Sequence, residues 1–431
     1  MARAMKDSGI EWIGEIPEGW QLSRLGWCLE EIKEKNDPIR TTNVLSLTNK
    51  LGVIPFEEKG NQGNKAKEDY SQYGLAFENT LVINSMNVLI GSVGISKYYG
   101  CVSPVYYVFK NTDKADLRFI NYLFQNVGFQ KELRKYANGI LEIRLRISSH
   151  DMLRRIIPLP DIREQESICD YLDAECSRID AVIEQTRASI EEYRKLKQSI
   201  ITQAVTKGIR PGRKMKDSGV EWIGEIPEEW SICKLRHIGS TQNGISKGGE
   251  YFGEGYPFVS YGDVYRNFSL PHTVRGLIKS TEEERALYSV LCGDIFFTRT
   301  SETIEEVGFS SVCETTIPNA TFAGFLIRVR PYDDTLDVGY SKYYFRSNHH
   351  RFYLVKQMNL VTRASLGQPL LKGMPVLVPS KEEQKEIAKY LDQKCGDIDN
   401  LILSKEKVIT ELESYKKSLI FEYVTGKKVV I

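Results

Sequence analysis

The chain has 431 residues, enough for two or three domains, and 41% of them are hydrophobic, so a sizeable core can be buried. Its 58 lysines and arginines nearly balance 57 aspartates and glutamates, and a net charge of +1 excludes a chain-wide basic surface for nucleic acid. Only local patches could make such contacts. No apolar run reaches the ~18 residues of a membrane span, and no apolar signal-peptide core follows Met1, so a cytoplasmic protein with no membrane partner is expected. The 8 cysteines are scattered with no C-x-x-C pair, which predicts reduced packing residues and no metal site.

The first informative element is Met5–Trp20, MKDSGIEWIGEIPEGW, which returns 210 positions later as Met215–Trp230, MKDSGVEWIGEIPEEW, with 2 of 16 positions changed. After it, residues 21–159 read as a mixed segment. Short strands are predicted at Asn43–Leu47, Leu81–Asn84 and Val102–Phe109, separated by glycine and asparagine, with one helix over Leu117–Tyr136. An apolar-proline stretch, Ile156–Pro160, closes it.

From Asp161 to Lys207 there is neither glycine nor proline, and good helix formers dominate. Asp161 to Glu164 has the form of a helix start, and Ser177 to Asp180 suggests a second start that would break a short helix from a long one. Ile179, Ile183, Ile190, Tyr193, Leu196, Ile200 and Ala204 fall three or four apart, one apolar stripe, and Gly208 is placed to end the helix.

The second half repeats this order. Gly293–Arg299 corresponds to Asn79–Asn84, Ala323–Arg330 to the Val102–Phe109 strand, Val338–Lys356 to the helix, and Pro375–Pro379 to the closing stretch. Ser380 to Glu383 reads as a capping box, Gly396-Asp397 as a break, and Gly426 as a stop. The stripe here is Ile398, Ile402, Ile409, Leu412, Tyr415 and Leu419. Glu164-Gln165, Tyr171-Leu172-Asp173, Ile179-Asp180 and Val205-Thr206 all recur 219 positions on, at Glu383-Gln384, Tyr390-Leu391-Asp392, Ile398-Asp399 and Val424-Thr425.

A frame is therefore kept twice while the segments inside it have diverged, the pattern of two different reading heads on one pseudo-twofold support. The expected fold is α+β. Two mixed α/β domains, 1–160 and 209–379, are joined by two helical spacers, 161–208 and 380–431, whose long helices bury their stripes on each other as an antiparallel, coiled-coil-like pair. Arginine and lysine suit phosphates, while asparagine, glutamine and arginine suit base edges. Loop residues of these types are Arg40, Asn49, Lys50, Lys65, Lys67, Asn87 and Lys97 in the first domain, and Lys247, Arg275, Thr298, Arg299, Ser301, His349 and Arg363 in the second. No phosphate loop, adenine-methyltransferase motif or nuclease cluster stands out, so a non-catalytic chain without its own cofactor is expected.

This layout resembles the specificity subunit of Type I restriction–modification enzymes. The residues that carry the likeness are Ser8–Trp20 and Ser218–Trp230, Gly293-Asp294-Ile295, Pro160–Gln165 and Pro379–Gln384 with their Pro-x-x-x-Glu-Gln pattern, and the closing Val424–Lys427. The first copy departs at the end, with Thr206-Lys207-Gly208 for Thr-Gly-Lys. The resemblance implies that each variable domain is a target-recognition domain reading half of an asymmetric, split site on double-stranded DNA, and that the helices fix the gap. It also implies partners: two methyltransferase subunits, docked through a frame that includes Glu164, Gln165, Tyr171, Glu383, Gln384 and Tyr390, and restriction motor subunits. S-adenosylmethionine, ATP and Mg²⁺ would be used by those partners. The competing expectation is a coiled-coil adaptor whose domains bind proteins; an enzyme with an unrecognised site is a third.

Overall fold

The computed structural model describes residues 3–48, 51–59, 69–139, 145–301, 307–357 and 364–430. The chain divides into two compact units. Unit 1 takes Met1–Arg187 with Glu406–Ile431, and unit 2 takes Ala188–Lys405. Each unit thus owns one variable segment and part of both long helices.

In unit 1 the repeated element folds as a hairpin, Met5–Asp7 against Glu15–Pro17, with Lys6 opposite Ile16. A four-stranded antiparallel sheet follows in the order Leu29–Ile32, Tyr106–Asn111, Leu81–Asn84, Val93–Ile95. The closing stretch Ile156–Leu159 pairs with Gln21–Arg24, so the start and finish of the variable segment are stitched together. Unit 2 repeats all three features. Met215–Asp217 pairs with Glu225–Pro227, and the sheet order is Gly239–Asn243, Leu326–Pro331, Ile295–Thr298, Ser310–Val312. Pro375–Val378 closes on Ser231–Lys234.

Three predicted elements differ. The strand expected over Val102–Phe109 is two strands, Gly100–Val102 and Tyr106–Asn111, because Pro104 between them has no N–H to give a ladder. The helix expected over Leu117–Tyr136 is two, Leu117–Gln125 and Val127–Arg134. Asn126 takes an extended conformation between them and caps the second through the Gly128 and Phe129 N–H groups. The second-half counterpart is split likewise, Val338–Tyr344 and Asn348–Gln357.

The long helices, by contrast, do not break. They run unbroken over Ile162–Lys207 and Lys381–Val424, 46 and 44 residues. Asp180, the acid of that expected start, pairs with Lys416, and Ile179 and Ile183 beside it stay buried. Gly208 and Gly426 end them in the left-handed region, at φ 75° and 72°. The start of the second helix is only half a capping box: the Glu383 N–H reaches Ser380 Oγ, but the Glu383 carboxylate turns elsewhere.

In unit 1 a single core joins the sheet, the domain helices and both long helices, through Ile168, Leu172, Ile179 and Ile183 on one and Leu419, Ile420 and Tyr423 on the other. In unit 2 Ile201, Ala204 and Val205 share a core with Ile387, Leu391 and Cys395. Two stripe members miss it. Leu196 and Tyr415 are 47% and 51% exposed, while Lys197 and Lys416 beside them are largely covered. The stripe is set by where 3.6 residues per turn carries each side chain, and over this length it has drifted past both positions.

His349, expected on a loop, lies in the core of unit 2 beside His350, with ring centroids 3.9 Å apart and Tyr344 and Phe345 around them. Burial holds the His349 imidazole down at about 3 and His350 well below its ordinary value, because a charged ring would lose its water. Folding therefore requires both rings neutral. Their contribution is complete above about pH 6.5, where the unfolded rings are neutral too, and is lost as pH falls toward 3, by up to about 1.4 kcal/mol per pH unit for each ring. Acid melting of unit 2 should flatten in His350→Phe; an unchanged pH slope would show that the pair does not govern it.

Candidate nucleic-acid interface

The positions of the variable domains are set by the repeated frame. Trp20 Nε1 donates to Glu164 at 3.0 Å, and Arg3 pairs with the same carboxylate while lying over the indole. Trp230 Nε1 donates to Glu383 at 2.9 Å, with Arg213 in the same place. The neighbouring glutamines are buried and nearly saturated. Gln165 accepts the Asp116 N–H and donates to the Lys114 and Pro160 carbonyls; Gln384 accepts the Asp337 N–H and donates to those of Thr335 and Pro379. Asp116 and Asp337 in turn cap Leu117–Gln125 and Val338–Tyr344, the first helix of each split pair. About two turns further along each long helix, Tyr122 donates to Asp173 at 2.6 Å and Tyr343 to Asp392 at 2.8 Å, and burial is the main force that raises both phenol pKa values. Each long helix thus grips its domain by a matched set of bonds.

Glu164, Gln165, Glu383 and Gln384, expected to face partner subunits, spend their polar atoms inside the chain. Tyr171 packs against Tyr423 with ring centroids 4.6 Å apart and planes tilted by 38°, and half-buried Tyr390 packs on the unit 2 core. The departure between Lys207-Gly208 and Gly426-Lys427 is also explained: Lys207 Nζ donates to the Glu225 carbonyl and Lys427 Nζ to that of Glu15, the same hairpin position in each copy. A Cβ on Gly426 would lie 2.4 Å from Pro17. Asp294 of the Gly293-Asp294-Ile295 element is 1% exposed and holds Arg330 through Nε and Nη2 at 2.7 and 2.6 Å.

Of the residues proposed for DNA, Asn49, Lys50, Lys65, Lys67 and Arg363 lie outside the described residues. Asn87, Lys97 and Arg275 are exposed. Arg40 is tied to Glu34 and to the Lys35 carbonyl. Lys247 is committed to Glu284 at 2.6 Å and lies over Tyr251. Thr298 is fully buried, not on a loop; its hydroxyl accepts the Phe309 N–H at 2.9 Å and so shapes the segment after it. Arg299 is half-buried there, and Ser301 belongs to a two-residue strand, Thr300–Ser301, paired with Ala364–Ser365.

Unit 1 carries an open groove of about 1890 Å³. Asn87, Met86, Ile90, Leu51 and Val127 line it on the domain side, and Arg187, Lys416 and Lys417 on the helix side. Sequence reasoning missed Arg3, Arg213, Tyr122 and Tyr343. The first pair was within reach, since Arg213 follows Arg3 by the same 210 positions as the hairpin. Among the described residues no group of three or more metal-binding side chains occurs, and no helix is long and apolar enough to cross a membrane.

Comparison with known proteins agrees with this geometry. The family model for the type I restriction modification DNA specificity domain matches twice, at residues 17–192 and 227–414. The MjaVIII specificity subunit of a type I restriction enzyme from Methanocaldococcus jannaschii is 24% identical over 96% of this chain and 93% of its own length. The EcoKI specificity subunit of Escherichia coli is 22% identical over 72% and 65%. Among solved structures, a chain of a type I R-M system studied for complex assembly and conformational transition superposes with a TM-score of 0.73 at 17% identity, covering 96% of this chain and 99% of its own. The HsdS subunit from Thermoanaerobacter tengcongensis gives 0.52 at 16% identity, covering 96% and 98%. With two matches spanning most of its length and a doubled frame to carry them, this chain belongs to the type I restriction modification DNA specificity family.

Proposed function

We propose that the chain is the DNA-reading specificity subunit of a Type I restriction–modification complex. Each variable domain reads one half of a split site, and the long helices, paired antiparallel, hold the two readings a fixed distance apart. The observation that carries this is the same frame locked twice around inserts of different chemistry: Trp20–Glu164 and Trp230–Glu383, Gln165–Asp116 and Gln384–Asp337. The helix pairing is supported by contacts within each unit. In unit 1 Tyr171 meets Tyr423 and Asp180 meets Lys416; in unit 2 Tyr193 meets Lys405 and Lys197 meets Asp399. As the position on the first helix rises, that on the second falls.

In this reading the chain itself does no chemistry and needs no cofactor. Two methyltransferase subunits use S-adenosylmethionine, and restriction motor subunits use ATP and Mg²⁺; the complex works in the cytoplasm on double-stranded DNA. With Glu164, Gln165, Glu383 and Gln384 turned inward, the faces that meet those partners lie elsewhere on the helices.

The test is domain exchange. Replacing residues 21–159 with another such segment should change one half-site of the methylated sequence and leave the other half and the gap intact. Binding of the complex to that site should weaken steeply with salt, by about 0.9 in log–log slope for each phosphate contacted. Loss of both half-sites on exchange would overturn the separation into two readers.

A further inference from the structure

In unit 1 the strand Leu81–Asn84 runs into a short loop that is fixed from below and uncovered above. Asn84 Oδ1 accepts the Met86 N–H at 3.0 Å. Ser85 donates to the Val105 carbonyl through both its N–H and its hydroxyl, at 3.2 and 2.7 Å, and its own carbonyl accepts the Ile147 N–H. Gly91 closes the loop at φ +79°, where any Cβ would press on Gln130 Nε2 at 2.9 Å. A loop held at so many points presents its side chains in one arrangement, as a reading element must.

What it presents is apolar and amide. Ile90 is 62% exposed and Met86 38%. Asn87 between them is exposed and makes no side-chain bond to the turn it begins. Leu51 and Val127 extend the apolar surface along the same groove, 69% and 45% exposed. Uncovered apolar clusters of this kind mark contact surfaces. Charges on the same groove balance, with Lys59, Arg187, Lys416 and Lys417 against Glu58, Asp180, Glu184 and Glu413. Arg187 and Lys416 are taken up by ion pairs to Glu184, Glu413 and Asp180, so the groove offers a phosphate backbone only Lys59 and Lys417.

Unit 2 supplies the second argument. Its strand Ile295–Thr298 holds the same place in the same sheet order, yet the sequence that follows opens Arg299-Thr300-Ser301 and goes on to Glu302, Glu305 and Glu306, charged and hydroxylic instead of apolar and amide. The matched strands support unmatched chemistry at the same point. Two readers on one frame differ in this way if this is where they read.

We infer that the loop Asn84–Gly91 is a base-reading element of unit 1, with Asn87 as its hydrogen-bonding residue and Met86 and Ile90 as its apolar contacts. The inference rests on the specificity-subunit reading and adds to it the half-site chemistry. An asparagine amide, one donor beside one acceptor, matches the N6 and N7 edge of adenine in the major groove. Exposed methyl and thioether groups match the thymine methyl. The half-site read by unit 1 therefore contains adjacent A·T pairs.

The experiment uses the full chain assembled with its methyltransferase subunits on a randomised duplex library, with methylated positions mapped by sequencing. Asn87→Ala should lose preference at a single A·T pair of one half-site by about ten-fold or more, with the other half-site and the melting temperature unchanged. Ile90→Ser should relax a neighbouring thymine in the same half-site. An unaltered motif in both variants would overturn the inference, as would an equal loss at every position, which is the mark of a phosphate contact. A wild-type complex that methylates no split motif would instead strike the specificity-subunit reading on which the inference stands.

Discussion

Replacing Glu383 with alanine is expected to destabilise unit 2 by about 3–5 kcal/mol, the cost of leaving a buried charge without its partner. Glu383 is 4% exposed at its side chain and Arg213 10%, so water cannot stand in for the lost carboxylate. Arg213 would keep only Glu229, which is 67% exposed and a weak partner. Trp230 Nε1 would be left with no acceptor inside the core, a further penalty of the same origin. The matched change Glu164→Ala should cost less, about 1–2 kcal/mol, because Glu164 and Arg3 are 24% and 29% exposed and water can partly replace the bond. Hydrogen exchange reads the two units separately. Protection should fall across unit 2 in Glu383→Ala while unit 1 amides hold. Glu383→Gln, which keeps an acceptor for Trp230 and drops the charge, should fall between. Equal losses at the two glutamates would mean that burial does not decide their worth.

This bond set also shows what a sequence can and cannot disclose. The repeated Trp and the repeated Glu-Gln were visible as strings, but the string does not say that they touch across 144 residues in one copy and 153 in the other. The Glu-Gln recurrence alone reads as a surface shared with partners, whereas the structure ties both residues into a lock within each unit. The Asp116/Asp337 and Tyr122/Tyr343 pairs stayed hidden because they recur 221 positions apart, inside segments whose other residues had changed. The long helices were legible, since helix formers without glycine or proline leave little alternative. Ser177 and Gly396 carry local break signals that packing overrules: Ile179 and Ile183, and Ile398 and Ile402, all remain buried through these positions. The reading loops were the least legible. Exposed Asn87 and half-buried Arg299 are not fixed by a core stripe, and no periodicity marks them.

Lengthening both long helices by four residues, after Ala188 and after Lys407, is expected to widen the recognised gap by about two base pairs. Four residues add ~6 Å of helix, against ~3.4 Å of rise per base pair. They also return the apolar stripe to within about 40° of its phase, so the buried faces stay nearly opposed. The insertion points follow from the ion pairs. Asp399 lies 219 positions after Asp180, and Lys416 lies 219 after Lys197, so Asp180–Lys416 in unit 1 and Lys197–Asp399 in unit 2 are one contact made twice. On the antiparallel pairing proposed above, the points equidistant from both contacts fall at Ala188 and Lys407. A matched insertion leaves each contact, and the core of each unit, as it was. An insertion in one helix alone would shift Lys197 past Asp399 and should cost stability instead of changing the gap. Both half-sites should be read as before by the doubly lengthened chain, since neither variable domain is touched. A methylation map with the old spacing, from a stable and active complex, would mean that something other than the helices sets the distance.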